Sequence, residues 1–203
     1  MNLTQFESQI RPEVPGCPDA VIGDAIVHAC RQFAEDSGLL RDSLSVTSVA
    51  GTQNYTLTPS SASNEVFAIY AVRTTSRVLT PLAEAPENRL TRSGTNSAYY
   101  TYNGGQLQIL PTPEDAVAYT VEAMVRPIYQ TSTTVDDRFG AYVDLISHWA
   151  KFKLMSMSAQ PWTDVQGALF NKQRYDSLSS DAKWYGWRAN TRATISVAQR
   201  PFA

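Results

Sequence analysis

The sequence predicts an α+β fold: a helical core of about three helices, a β-rich insertion and an extended C-terminal arm. Three observations carry this expectation. Apolar residues recur at helical spacing in two separated regions, 18–41 and 130–185. Between them, residues 42–129 run in short alternating stretches of Thr, Val, Tyr and Ser broken by turn residues. After residue 185 the helical period stops, so 186–203 reads as an arm. The chain is long enough to bury a sizeable core without disulfides.

Residues 1–17 end in Val14-Pro15-Gly16-Cys17-Pro18, where two prolines and a glycine interrupt any continuous helix, and the segment reads as extended. Pro18 then suits a helix start. Val21, Ile22, Ala25, Ile26, Ala29, Cys30 and Phe33 lie on one stripe, and Gly38 is a natural stop. In the insertion, Leu44 and Val46 alternate with polar neighbours, and Gly51-Thr52-Gln53-Asn54 turns into Tyr55-Thr56-Leu57. Val66 to Thr74 and Val78 to Leu82 read as strands, and Pro86 to Leu90 as a single helical turn. Tyr99 to Tyr102, the turn Asn103-Gly104-Gly105 and Leu107 to Leu110 make the clearest hairpin. Val117 to Ile128 is a long strand, stopped near Pro127. Asp136 or Asp137 sits where a helix start favours negative charge, and Phe139, Tyr142, Val143, Ile146, Trp149, Ala150 and Leu154 follow helical spacing. Pro161 breaks that pattern. Thr163 or Asp164 caps a third helix whose stripe is Val165, Ala168, Leu169, Lys172, Tyr175 and Leu178, ending near Trp184.

The residues that carry chemistry elsewhere are sparse and badly spaced for it. His28 and His148 belong to no ligand spacing, so no metal site is expected. Two positions apart on a helix, His28 and Cys30 point in different directions, and Cys30 reads as a small buried hydrophobe. Glycine-rich phosphate loops and the nucleophile-elbow pattern are missing, and no cofactor is expected. The paired carboxylates Glu35-Asp36, Glu114-Asp115 and Asp136-Asp137 fall at predicted element boundaries, where capping and solvation explain them. The expectation is a protein that is not an enzyme.

Composition points the same way. A net charge of -2 with both signs mixed lacks the basic excess of a nucleic-acid binder, and no apolar run approaches a membrane span. No secretory signal is read at the start, so Cys17 and Cys30 are expected as free thiols in a reducing cytoplasm. After Asp181 no acidic residue follows, while Lys183, Arg188, Arg192 and Arg200 do, which makes the arm cationic. Trp184, Trp187, Arg188, Arg192 and Arg200 are candidates for docking onto a partner or a neighbouring copy. Tyr99, Tyr100 and Tyr102 lack interleaved Lys or Arg, which favours cross-strand packing or a subunit contact over a stacking platform.

The order of segments carries a resemblance. Val14-Pro15-Gly16-Cys17-Pro18-Asp19, leading into an amphipathic helix that ends Phe33-Ala34-Glu35-Asp36-Ser37-Gly38, resembles the opening of head-to-tail adaptor (connector) proteins of tailed bacteriophages. Gly51-Thr52-Gln53-Asn54-Tyr55-Thr56-Leu57 and Leu107-Gln108-Ile109-Leu110-Pro111-Thr112-Pro113 resemble that family's G-x-x-x-Y-x-L and L-x-I-x-P-x-P segments. Pro161-Trp162, between two helices, is similar to its helix junction. The resemblance implies a virion structural protein: a dodecameric ring in the neck, between portal and tail. Such a ring extends a channel through which DNA passes without sequence-specific binding. Its implied partners are further copies of itself, the portal protein and a tail or neck protein, with no membrane and with synthesis in the host cytoplasm. Another neck or tail-completion protein is the alternative, and a carbohydrate-binding tail protein a more distant one.

Overall fold

The computed structural model describes residues 1–82, 93–94, 97–103, 105–129 and 134–187. It is an α+β protein whose chain divides into two units, Met1–Leu39 with Thr131–Ala203, and Leu40–Gln130.

The first unit is helical. Helix α1 (Thr4–Ile10) corrects the expectation of an extended N-terminal segment. Leu3, Phe6 and Ile10, three and four residues apart, are all buried, and α1 packs against the helix Val143–Met155. Seven residues are too few to hold a helix by local bonds, so tertiary packing makes it. A 3-10 turn, Arg11–Glu13, follows, with the proline at its first turn.

Helix α2 (Asp19–Ser37) starts after Pro18 and buries Ile22, Ala25, Ile26, Ala29, Cys30 and Phe33 of the predicted stripe, with Val21 half-buried. Gly38 ends it in the left-handed conformation at φ 60°, its N–H donating to the Ala34 carbonyl at 3.0 Å. After the insertion, a 3-10 helix (Asp137–Tyr142) begins with Asp136 accepting from the Arg138 N–H at 3.0 Å. Helix α3 (Val143–Met155) continues from it and buries Leu145, Ile146, Ala150 and Leu154. Phe33 seals the junction, its ring 4.7 Å from that of Tyr142 and 6.4 Å from that of Phe139.

Helix α4 (Val165–Trp187) runs three residues past the expected end at Trp184, so both Trp184 and Trp187 are helical and neither belongs to an arm. Asp164 caps it, one carboxylate oxygen accepting from the Gln166 and Gly167 amides, each at 3.0 Å. The rest of the predicted arm, 188–203, lies outside the described residues, as does the predicted helical turn at 86–90.

The second unit is built of β-structure. Strands β1 (Arg41–Thr47), β3 (Asn64–Arg73) and β9 (Ala118–Pro127) form an antiparallel sheet in the order β1-β9-β3. Strands β2 (Asn54–Thr56), β4 (Thr80–Pro81), β6 (Tyr99–Asn103) and β7 (Gln106–Leu110) form a second, in the order β2-β7-β6-β4. A short parallel pair joins β5 (Ser93–Gly94) to β8 (Thr112–Pro113). The β6–β7 hairpin is the one expected from sequence. Of the strand expected at Val78 to Leu82, only Thr80–Pro81 pairs along β6.

Alternation builds the core of this unit. Tyr119, Val121, Ala123 and Val125 of β9 are buried while their neighbours are not, and the first three join Leu44, Val72, Leu107, Ile109 and Tyr100 in one cluster. Ser48 locks the start of β9: its hydroxyl accepts from the Val117 N–H at 2.8 Å and donates to the Asp115 carbonyl at 2.7 Å.

Candidate functional site

Helix α4 is unusual in carrying apolar side chains on both sides. Ala168, Asn171, Tyr175, Ser179 and Ala182, at intervals of three and four, form its buried stripe. Leu169 and Val165 were expected on that stripe and are not: they are 58% and 66% exposed. Phe170 is 64% exposed and Trp184 46%. Helical geometry decides this, because Leu169 and Phe170 both sit more than a quarter turn from the line through Ala168, Asn171 and Tyr175. The sequence reading overlooked Phe170, although its proximity to Leu169 made two bulky apolar residues impossible to bury on one narrow face. Clustered large apolar side chains left in water mark a contact surface.

The buried side of α4 is partly polar, and its Asn171 and Tyr175 are both hydrogen-bonded. Asn171 donates to the Gly167 carbonyl at 2.9 Å, and its side-chain oxygen lies 2.7 Å from Nδ1 of His148. The Tyr175 hydroxyl donates to Asp36 at 2.7 Å, and burial first, then that carboxylate, pushes its pKa upward. Lys151, buried on α3, meets Glu13 at 2.5 Å. Beside these groups lies a groove of about 750 Å³, lined by Asp36, Trp149, Phe152, Lys172, Tyr175 and Lys183 among others. Of its carboxylates Glu35, Asp36 and Asp176, Asp36 is engaged by Tyr175 and Gln32, and Asp176 by Lys172.

The groups most apt for chemistry are held in packing roles. His28 stacks on Trp149 with centroids 6.4 Å apart, and burial, together with the charges of Lys153 and Arg31, lowers its pKa. Cys30 is fully buried, which pushes its thiol far above the usual range. Cys17 and Cys30 are both free thiols. Among the described residues no cluster of three His, Cys, Asp or Glu side chains has the geometry of a metal site. Among them, too, no helix is long and apolar enough to cross a membrane.

The three tyrosines of β6 do not share a surface. Tyr100 and Tyr102, two apart, share the core face of β6, Tyr100 buried and Tyr102 half-buried against the same cluster, whereas Tyr99 is half-buried on the other face. Tyr102 donates from its hydroxyl to the Val66 carbonyl at 2.9 Å, bridging the two sheets. Tyr100 and Tyr102 are therefore packing residues, and Tyr99 is the one of this trio on the face away from the core.

An aromatic surface the sequence reading missed lies on the outer side of the β1-β9-β3 sheet. Strand β3 has two irregularities in its ladder to β9, and each inserts one aromatic residue, Phe67 and Tyr70. The guanidinium of Arg41 lies 3.9 Å from the centre of the Tyr70 ring, and that of Arg126 lies 5.6 Å from that of Phe67. Arg126 also pairs with Glu65 at 2.8 Å, and Arg73 with Glu122 at 3.2 Å. The face is thus an ordered array of rings and matched charges. Bulges in a strand leave little trace in sequence, since they appear only once the partner's register is known.

Of the docking candidates at the C-terminal end, the structure places Trp184 on the solvent side of α4 and Trp187 at the last position of that helix; Arg188, Arg192 and Arg200 lie outside the described residues. No curated protein matches the chain. A family model does, over nearly its whole length. Residues 1–199 match the model described as SU10 adaptor protein, and the chain belongs to that family of bacteriophage structural adaptors.

Proposed function

We propose that this adaptor works as one subunit of a dodecameric ring in the virion neck, between the portal and the tail, where it extends the DNA channel. The single observation that carries the reading is the apolar patch at the start of α4, with Val165, Leu169 and Phe170 between 58% and 66% exposed. A ring subunit needs two different lateral surfaces that meet head to tail and close. The α4 side supplies one of apolar character, suited to the interior of a subunit interface.

The role is architectural and not enzymatic, and it calls for no cofactor or metal. A channel wall that lets DNA pass must not hold phosphates, and a net charge of -2 suits that better than a basic surface. The cationic terminal segment, with Arg188, Arg192 and Arg200 following Trp184 and Trp187, docks onto the portal protein or a neighbouring copy. Of the β6 tyrosines, Tyr99, on the face away from the core, is the candidate for a subunit or tail contact. The protein is made in the host cytoplasm and acts in the virion, away from membranes.

Averaged electron images of the neck in purified particles test this. A closed twelvefold ring under the portal into which this chain fits is the expected result. A sixfold ring placed below another adaptor would favour the second reading, a neck or tail-completion protein. Absence of the chain from the particle would remove both.

A further inference from the structure

The two edges of the β1-β9-β3 sheet are treated differently. On β3 the edge is interrupted by the two bulges at Phe67 and Tyr70, and the turn after the strand folds back on it through the Leu79 N–H to Val72 carbonyl bond of 2.8 Å. Bulges and such coverage are the usual ways a protein blunts an edge. Strand β1 has neither. It keeps an unbroken register with β9 over all seven residues, and it contains no proline and no lysine.

The direction of its backbone groups follows from that ladder. The Leu40 carbonyl accepts from the Val125 N–H at 3.0 Å, and the Ser48 N–H donates to the Val117 carbonyl at 2.9 Å. In an antiparallel pair alternate residues bond to the partner, so the even-numbered residues of β1 face β9. The amides and carbonyls of Ser43, Ser45 and Thr47 therefore point to the outer edge. All three residues are exposed, and among the described residues β1 pairs with β9 alone.

The chain itself contains a segment that matches. Residues Thr194-Ile195-Ser196-Val197-Ala198 repeat the pattern of Ser43-Leu44-Ser45-Val46-Thr47: two β-branched or branched apolar residues between small polar or small ones. Pro201 ends that run, as it would end a strand. We propose that residues 192–199 of one copy add as a fourth strand to the β1 edge of a neighbouring copy, joining adjacent subunits by strand exchange. The proposal rests on the ring reading above and names which partner the terminal segment takes.

The physical basis is backbone complementarity. A row of unpaired amides and carbonyls at an edge recognises any strand of fitting alternation, and side-chain parity sets the register. Leu44 is buried and Val46 half-buried on the core side, so Ile195 and Val197 must fall on that side next to them, with Thr194, Ser196 and Ala198 beside Ser43, Ser45 and Thr47. Contacts of this kind are heterologous, one copy's edge to the next copy's terminal segment, and so propagate around a ring.

The test uses full-length chains, each carrying one added cysteine, the native Cys17 and Cys30 being buried. Ser45→Cys is mixed in turn with Thr194→Cys, Ser196→Cys or Ala198→Cys and oxidised, and disulfide-linked dimers are read on a non-reducing gel. Opposed residues on paired strands lie within disulfide reach. At least one of the three mixtures is expected to link most of the chain, each variant alone is expected not to link, and Val197→Cys, on the opposite face, is expected to lose the link. No link in any mixture, equal linking of Val197→Cys, or linking confined to Ser45→Cys alone overturns the proposal. So does linking found only within single chains that carry both substitutions. Sedimentation of the same samples follows assembly separately. Linked but open oligomers would keep strand exchange and remove the ring, and closed rings without links would do the reverse.

Discussion

The Tyr175 hydroxyl donates a 2.7 Å hydrogen bond to the Asp36 carboxylate, tying the middle of α4 to the end of α2 inside the helical unit. Both partners also frame the groove beside α4. Tyr175→Phe keeps the ring and leaves Asp36 without that donor. Denaturation by urea is expected to show a loss of about 1.5–3 kcal/mol, the worth of a hydrogen bond to a charged group. Ser177→Ala, on the exposed side of the same helix, is the control and is expected to change little.

Tyr175 and Cys30 also set the alkaline limit. Burial raises both pKa values, with the Asp36 bond and charge adding to the Tyr175 shift, so the folded chain keeps protons that the unfolded chain releases. Stability from such groups is complete below their unfolded values, about 8.5 for Cys and 10 for Tyr, and declines as pH rises past them. Each group steepens the decline by about 1.4 kcal/mol per pH unit. Urea midpoints between pH 8 and 11 are expected to fall, and Cys30→Ala to flatten the slope from its onset, whatever it does to the midpoint itself. An unchanged slope in that variant would remove the assignment.

His28 works in the opposite sense. Its lowered pKa means the unfolded chain binds the proton more readily, so stability present above about 6.5 is lost as pH falls through the folded value. Stability curves between pH 7.5 and 5 are expected to show a step that His28→Asn reduces.

At the start of α4, Asp164 and Gly167 depend on each other. A Cβ at residue 167 would run into the Asp164 carboxylate that caps the helix. Asp164→Ala is expected to cost about 1 kcal/mol. Gly167→Ala should lose much of the same cap, read as faster hydrogen exchange at Gln166 and residue 167 in both variants.

The exposed side of α4 separates assembly from folding. Leu169→Glu and Phe170→Asp change side chains that are mostly in water, so each is expected to leave the monomer's stability within about 0.5 kcal/mol. Both are expected to abolish ring formation in sedimentation experiments. Loss of folding instead would show that these side chains support their own unit.

Legibility from sequence followed the range of the cause. Helix α2 is legible because its stripe, its proline start and its glycine stop are all local, and the β6–β7 hairpin because its turn lies between two alternating runs. Helix α1 had the signal in Leu3, Phe6 and Ile10, but seven residues form a helix only with something to pack on.

What the sequence by itself determined, then, is where the longer helices lie, where the chain alternates, and the order in which those segments come, which is also what carries the family resemblance; the short α1 waited on packing. Tertiary structure alone decided which side of α4 is buried, which of the three tyrosines face the core, and which edge of the β1-β9-β3 sheet is bulged. Periodicity is a property of neighbours along the chain. Burial and edge exposure belong to neighbours in space, and an evenly apolar helix or a strand of uniform alternation does not say which of its sides will find one.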